Sequence, residues 1–134
     1  MQTLSFRTTK QRELVVITEQ VRDILMQSKI KEGFALIFNP HSTAGLTINS
    51  YLDPASLQDM IEEFDRLVPT RTDFHHVYDT PSDAAGHIKT SLAGSALTVL
   101  IHDGDFVLGH AQGLLFWEFD GPRDRKVYIK IVAD

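Results

Sequence analysis

Histidines, one buried-looking carboxylate and two turn-directed arginines carry the chemistry available to this chain. His41 opens the tract Pro40-His41-Ser42-Thr43-Ala44-Gly45-Leu46-Thr47-Ile48-Asn49. His76 precedes a helix-like stretch, and His87 lies inside it. Three histidines from three segments can converge on one divalent metal and leave a position for water or substrate. No HxxxH pair exists to make a self-contained zinc motif. On spacing alone, His87 also reads as the local partner of Asp83, one helical turn away, and that ordinary pairing ranks first. His75, His102 and His110 read as loop residues.

The second chemical tract is SALTVLIHDGDFVLGHAQGLLFWEFDGPRDR, Ser95 to Arg125. A carboxylate inside its apolar strand, Glu118, is costly unless paired or functional. It reads equally as a site residue or as an ion pair with Arg123 or Arg125 at a sheet edge. Arg123 follows Gly121-Pro122, which directs it, and suits a phosphate. Gln112 and Glu118 share a strand face but lie ~20 Å apart at ~3.3 Å per residue. One chain's copies cannot both touch one small ligand unless the strand bends or a second subunit contributes. Ser42 and Thr43 lack a GxSxG elbow, so they read as turn formers or ligand hydrogen-bonders rather than nucleophiles.

These tracts need a frame. Polar and apolar residues mix over a first strand, Thr3 to Arg7, and Glu13 to Ile17 predicts a second. Thr18 can cap a helix whose stripe is Val21, Ile24 and Leu25. The apolar run Phe34 to Phe38 predicts a buried strand, and Leu46 and Ile48 lie in another. Asp53-Pro54 starts a helix with Leu57, Met60, Ile61, Phe64, Leu67 and Val68 on one face. Thr80-Pro81 starts a shorter one with Ala84, Ile88 and Leu92 inward, ended by Gly94. Strands follow over Ala96 to Ile101, Phe106 to Leu108, Leu114 to Phe119 and Arg125 to Val132. Strands outnumber helices without alternating regularly with them, so the fold class expected is α+β. Its frame is a mostly antiparallel, jelly-roll-like β-sandwich with two or three added helices.

At 134 residues the chain fits one domain, 1–134, with no internal repeat or linker. There is no cysteine, so a metal must sit on His, Asp, Glu or water. The net charge of −5 argues against nucleic acid as a partner, which needs a basic footprint. Neither GxxxxGK[ST] nor GxGxxG is present. No run reaches membrane-spanning length, and the opening MQTLSFRTTKQRELVV has no long apolar stretch. No membrane partner and a cytoplasmic location are therefore expected.

The tracts NPHSTAGLTIN, HHVYDTPSDAAGHIKTSLAGSALTV and LGHAQGLLFWEFDGPRDRKV, in this order, resemble the YjbQ family of secondary thiamine-phosphate synthases. The resemblance covers nearly the whole chain. It implies a sandwich-type homotrimer with a histidine-lined site for a divalent metal, zinc or magnesium, on His41, His76 and His87. It implies catalytic roles for Glu118 and Gln112, and contacts from Ser42, Thr43, Asn49 and Arg123 to a small phosphorylated molecule. The implied reaction joins an aminopyrimidine-methyl diphosphate to a thiazole phosphate. Two departures stand out. Gly109-His110-Ala111-Gln112 replaces the usual Gly-Thr-Trp-Gln, and Ile48-Asn49-Ser50 replaces Ile-Asn-Glu. Two other readings stay open: a metal-dependent hydrolase of a small phosphate ester, with the same three histidines activating water and Glu118 as base, and a noncatalytic metal- or anion-binding oligomer, which the missing aromatic ring and carboxylate favour.

Overall fold

A computed structural model describes residues 1–134. Eight strands and three helices follow in the order β1 (Gln2–Arg7), β2 (Glu13–Val16), α1 (Thr18–Ser28), β3 (Gly33–Phe38), β4 (Ala44–Ser50), α2 (Pro54–Leu67), α3 (Pro81–Ala93), β5 (Ala96–His102), β6 (Asp105–Phe106), β7 (Gln112–Glu118) and β8 (Asp124–Ala133). The architecture is α+β. A five-stranded sheet has the order β1-β8-β3-β5-β6, and a three-stranded sheet has the order β2-β7-β4. Every strand pair is antiparallel.

Inward residues of both sheets meet in one core. Ala35, Ile37, Val99, Ile101, Val127 and Ile129 come from the larger sheet, and Ala44, Leu46, Leu114 and Phe116 from the smaller. Val21 and Leu25 of α1 join them. Each such large side chain contributes about 1.5–3 kcal/mol on burial. β7 sits at the centre of its sheet and is buried from Gly113 to Glu118, which accounts for its unbroken apolar run. β8 alternates instead, with Val127 and Ile129 inward and Lys126 and Lys130 outward, as its period of two requires.

Both Pro-initiated helices begin where the sequence places them. The Asp53 side chain accepts the Ala55 N–H at 2.9 Å. The Thr80 hydroxyl accepts the Asp83 N–H at 3.2 Å. Gly94, with φ of 93°, ends α3.

Other expectations are corrected. β3 is not buried throughout: Gly33, Ala35 and Ile37 face the core, while Phe34, Leu36 and Phe38 face out. Thr18 is the first helical residue and not the cap, and its hydroxyl accepts the Leu114 N–H at 2.9 Å. It ties α1 to β7 instead. The apolar face of α2 buries no residue within the helix, although Phe64 stacks on Trp117 at 4.4 Å between ring centres. That stacking covers the single tryptophan with the chain's own helix. In α3, Ala84 is buried but Ile88 and Leu92 are 43% and 62% exposed. Besides Ala84, the buried residues are Ser82, Asp83, Ala85, Gly86, Lys89 and Thr90. Lys89, 2% exposed, is placed there by its ion pair with Asp65 of α2, which Arg12 also grips at 2.8 Å. A pairing partner on another element overrides the helical stripe.

Candidate functional site

The loop between β3 and β4 is built by Asn39, which is fully buried. Its side-chain oxygen accepts the His41 N–H at 2.9 Å, and its amide donates to the His41 and Ala44 carbonyls at 3.1 and 2.7 Å. These bonds fold residues 39–44 into a fixed turn. The start of α3 packs directly on this turn. Gly86 permits the approach, because a Cβ there would lie 3.2 Å from the Thr43 side chain. The contact brings His87 against the turn, where its Nδ1 meets the Ser42 carbonyl at 3.1 Å.

A third element, the corner between β7 and β8, closes the arrangement. Glu118 is 0% exposed and accepts from Thr8 Oγ1 at 2.7 Å, Arg125 Nε at 2.8 Å, and the Phe119 and Asp120 N–H groups at 3.1 and 3.2 Å. Arg125 Nη2 also reaches Glu118 and donates to Thr43 Oγ1 at 2.9 Å. The expected Glu118 ion pair is thus with Arg125, but it is no edge pair: it joins the end of β7, the central strand of the smaller sheet, to the start of β8, an inner strand of the larger one. With its lone pairs occupied, Glu118 is a structural anion that fixes Arg125 beneath the turn. Arg123, after the cis Gly121-Pro122 peptide, is held by Asp120 through Nη2 at 2.7 Å and Nε at 2.8 Å. The Asp120 hydrogen bond raises its pKa, so it is a permanent cation, half-exposed and aimed by its neighbour.

These elements enclose an open, mostly polar cleft of about 400 Å³ lined by His41, Ser42, Thr43, His76, Asp79, Asp83, His87, Arg123 and Arg125, with Pro40. The structure therefore brings His41, His76 and His87 to one cleft, with Ser42, Thr43 and Arg123. Within it the converging ligand atoms are those of His76, Asp83 and His87, all within 4.8 Å of one another. Asp83 Oδ2 lies 2.8 Å from His76 Nε2 and 3.1 Å from His87 Nε2. The local Asp83–His87 pair is present, and His76 joins it. His41 is outside this trio: its Nε2 accepts the Lys126 backbone N–H at 3.0 Å.

The trio has a proton problem that defines its chemistry. The Ser42 carbonyl can only accept, so His87 Nδ1 carries the proton. A neutral His87 then turns the Nε2 lone pair toward the Asp83 carboxylate. Burial works to raise the Asp83 pKa, but hydrogen bonding and positive charge from His76 and His87 outweigh it and hold the pKa below its usual value. Two lone pairs face each other unless a cation lies between them. Either an extra proton on His87 or a divalent metal satisfies this arrangement, and a two-histidine, one-carboxylate set matches a catalytic zinc site. His41 differs: burial, then the Arg125 charge, lowers its pKa.

Asn49 and Gln112 lie elsewhere. Asn49 pairs with Gly113, and Ser50 with Gln112, at the opposite end of the β4–β7 ladder from Ala44 and Glu118. The Gln112 side chain accepts the Gly109 N–H at 2.8 Å and shapes its own turn. The structure does not bring either residue to the cleft. His102, expected in a loop, ends β5 and pairs with Glu32 at 2.9 Å.

Site residues not legible in the sequence include Asn39, Thr8 and Asp83 as the carboxylate that both His76 and His87 meet. Only Asp83 carried a signal, its spacing of four from His87. Asn39 and Thr8 act through folded contacts alone.

Fold and cleft together define a small α+β protein with a polar cleft in which two histidines and an aspartate converge. The model of the UPF0047 protein YjbQ-like family matches residues 2–134, and the chain belongs to that family. It is 45% identical over 128 residues to UPF0047 protein MJ1081 of Methanocaldococcus jannaschii, covering 96% of this chain and 91% of that one. It is 40% identical over 135 residues to UPF0047 protein YugU of Bacillus subtilis, covering 99% of both. A crystal structure of an uncharacterized YjbQ/UPF0047 protein from Clostridium acetobutylicum superposes with a TM-score of 0.93 at 39% identity, over 98% of this chain and 100% of that one. A YbjQ-like protein of unknown function from Sulfolobus solfataricus gives 0.93 at 28% identity, over 99% and 96%. No helix is long and apolar enough to cross a membrane.

Proposed function

We propose that the cleft binds a divalent cation on His76, Asp83 and His87 and takes a small phosphorylated molecule beside it, with Arg123 as the phosphate-facing cation. The observation that carries this reading is the convergence of three ligand atoms within 4.8 Å in a cleft that Arg123 also lines. The reaction we assign follows the family resemblance. An aminopyrimidine-methyl group leaves its diphosphate and joins the nitrogen of a thiazole phosphate. The methylene carbon–oxygen bond breaks, pyrophosphate departs with the bonding electrons, and the new carbon–nitrogen bond gives thiamine phosphate. A divalent cation, zinc or magnesium, supplies positive charge that favours such a departure. Arg123 and the Ser42 hydroxyl bind phosphate oxygens, while Thr43 and Glu118 hold Arg125 in place.

This chemistry asks for charge at a leaving group and not for a buried base, which agrees with the saturated state of Glu118. Hydrolysis with Glu118 as base lacks that agreement. A sandwich-type frame is our reading of two sheets around one core. Self-association is supported by the outward Phe34, Leu36 and Phe38, with Leu100 opposite Phe34. Three copies is the number that the resemblance implies. A cytoplasmic location suits phosphorylated substrates, whose charge keeps them from crossing membranes.

Zinc- or magnesium-loaded protein given both substrates is expected to yield thiamine phosphate and pyrophosphate one to one. The Asp83→Asn variant is expected to lose metal and product together. Inorganic phosphate released without thiamine phosphate would favour the hydrolase, and bound metal without turnover the noncatalytic oligomer. A folded wild type that takes up no metal removes the whole reading.

A further inference from the structure

Every histidine ring of the cleft but one uses Nε2 toward Asp83; the exception is His41. Its Nε2 receives the Lys126 backbone N–H at 3.0 Å. An acceptor nitrogen of a neutral imidazole leaves its proton on the other nitrogen. Nδ1 of His41 therefore carries hydrogen. No group of the chain accepts from it, and no buried polar side-chain atom lacks a partner, so Nδ1 reaches solvent. His41 forms the wall shared by the metal-type cleft and a second cleft lined by Ser5, Phe6, Asp124, Arg125 and Lys126. Nδ1 cannot ligate a metal in this state. Ligation would move the proton to Nε2, where it would oppose the Lys126 N–H.

We propose that His41 is an anion-binding donor and not a metal ligand, its Nδ1–H offered to a phosphate or diphosphate oxygen of the substrate while Lys126 fixes the tautomer. This rests on the cleft binding a phosphorylated molecule. It extends that reading by separating two tasks among the three histidines: His76 and His87 hold the cation with Asp83, and His41 selects the anion. Burial, and then the charge of Arg125, pinned below by Glu118, act to keep the ring uncharged. A neutral donor orients an oxygen without trapping pyrophosphate as a further fixed cation would.

The test has two parts. Long-range nitrogen–proton correlation spectra of the metal-free protein, labelled in histidine, are expected to give His41 the neutral Nδ1–H pattern at pH 7.5. An Nε2–H or imidazolium pattern would overturn the proposal. The second part is titration of zinc and then inorganic pyrophosphate into the wild type, His41→Ala and His41→Asn, whose amide offers a donor near the Nδ1 position. His41→Ala is expected to keep zinc affinity within about threefold and to weaken pyrophosphate about tenfold or more, the loss typical of a hydrogen bond to a charged group. His41→Asn is expected to recover most of that loss. Zinc lost in a folded His41→Ala, or pyrophosphate affinity unchanged by it, would overturn the proposal. Should the wild type bind no zinc, the metal reading fails by itself, and the spectra with pyrophosphate titration still decide the role of His41.

Discussion

The two ends of the β4–β7 ladder carry similar polar residues and meet different fates. At one end, Thr43 and Glu118 lie under a turn braced by Asn39 and capped by α3, and a cleft results. At the other end, Asn49, Ser50 and Gln112 are satisfied by their own turn, and Asn49 borders α2 with its amide 3.4 Å from Met60 Sδ. Six residue steps of extended chain lead from Ala44 to Ser50. That is ~20 Å at ~3.3 Å per residue, beyond the reach of one small ligand. Polar residues in a row along a strand thus do not make one site. A site forms where a third and fourth element converge on one end.

The largest test breaks the near end from below. Arg125→Met leaves the Glu118 carboxylate buried without its cation, and is expected to destabilise the fold by about 3–5 kcal/mol in denaturant titration. A change below about 1 kcal/mol would mean that the pair does not hold the corner. The double variant Arg125→Met, Glu118→Leu is expected to recover much of the loss, because no charge is then stranded.

A smaller effect is expected from pH. The folded state depresses the His41 pKa below its usual 6.5, so the unfolded chain binds the proton more readily. The stabilisation is fully present above pH 6.5 and falls as pH drops below that value toward the folded pKa. His102 runs the opposite way, its pKa raised by its hydrogen bond to Glu32. Melting temperatures of the wild type against His41→Gln from pH 7.5 to 5 isolate the first effect. The wild type is expected to lose its advantage as pH falls, and parallel curves would refute the assignment.

The smallest effect sharpens the comparison at the far end. Asn49→Ala and Gln112→Ala are expected to shift stability by about 0.5 kcal/mol, as surface changes do, and to leave zinc affinity unchanged. Loss of thiamine phosphate formation with zinc binding intact would instead bring this end of one copy to the cleft of another.

Much of the frame was legible in the residues. Asp53-Pro54 and Thr80-Pro81 start helices because cap and proline act locally. The alternation of β8 was readable because its two faces meet different media. The helix stripes were less so. In α3 the inward positions went to Lys89 and Thr90, since Lys89 has an acidic partner on α2 and Thr90 bonds the Ala44 carbonyl at 3.0 Å. The outward face of β3 was hidden because apolar composition does not tell a covered face from an uncovered one.

The histidine cleft divides in the same way. By itself the sequence determined the supply: no cysteine, three histidines in three segments, an arginine directed by a Gly-Pro turn, and an aspartate four residues before His87. Those are local facts of residue type and spacing. Only the tertiary structure decided the assignments. It placed His76 beside Asp83, gave His41 to the Lys126 amide, took Glu118 for Arg125 and left Gln112 at the other end of its strand. The reason is physical: a ligand atom's role depends on which lone pair or proton remains after its neighbours have taken theirs, and most of those neighbours are far away in the chain.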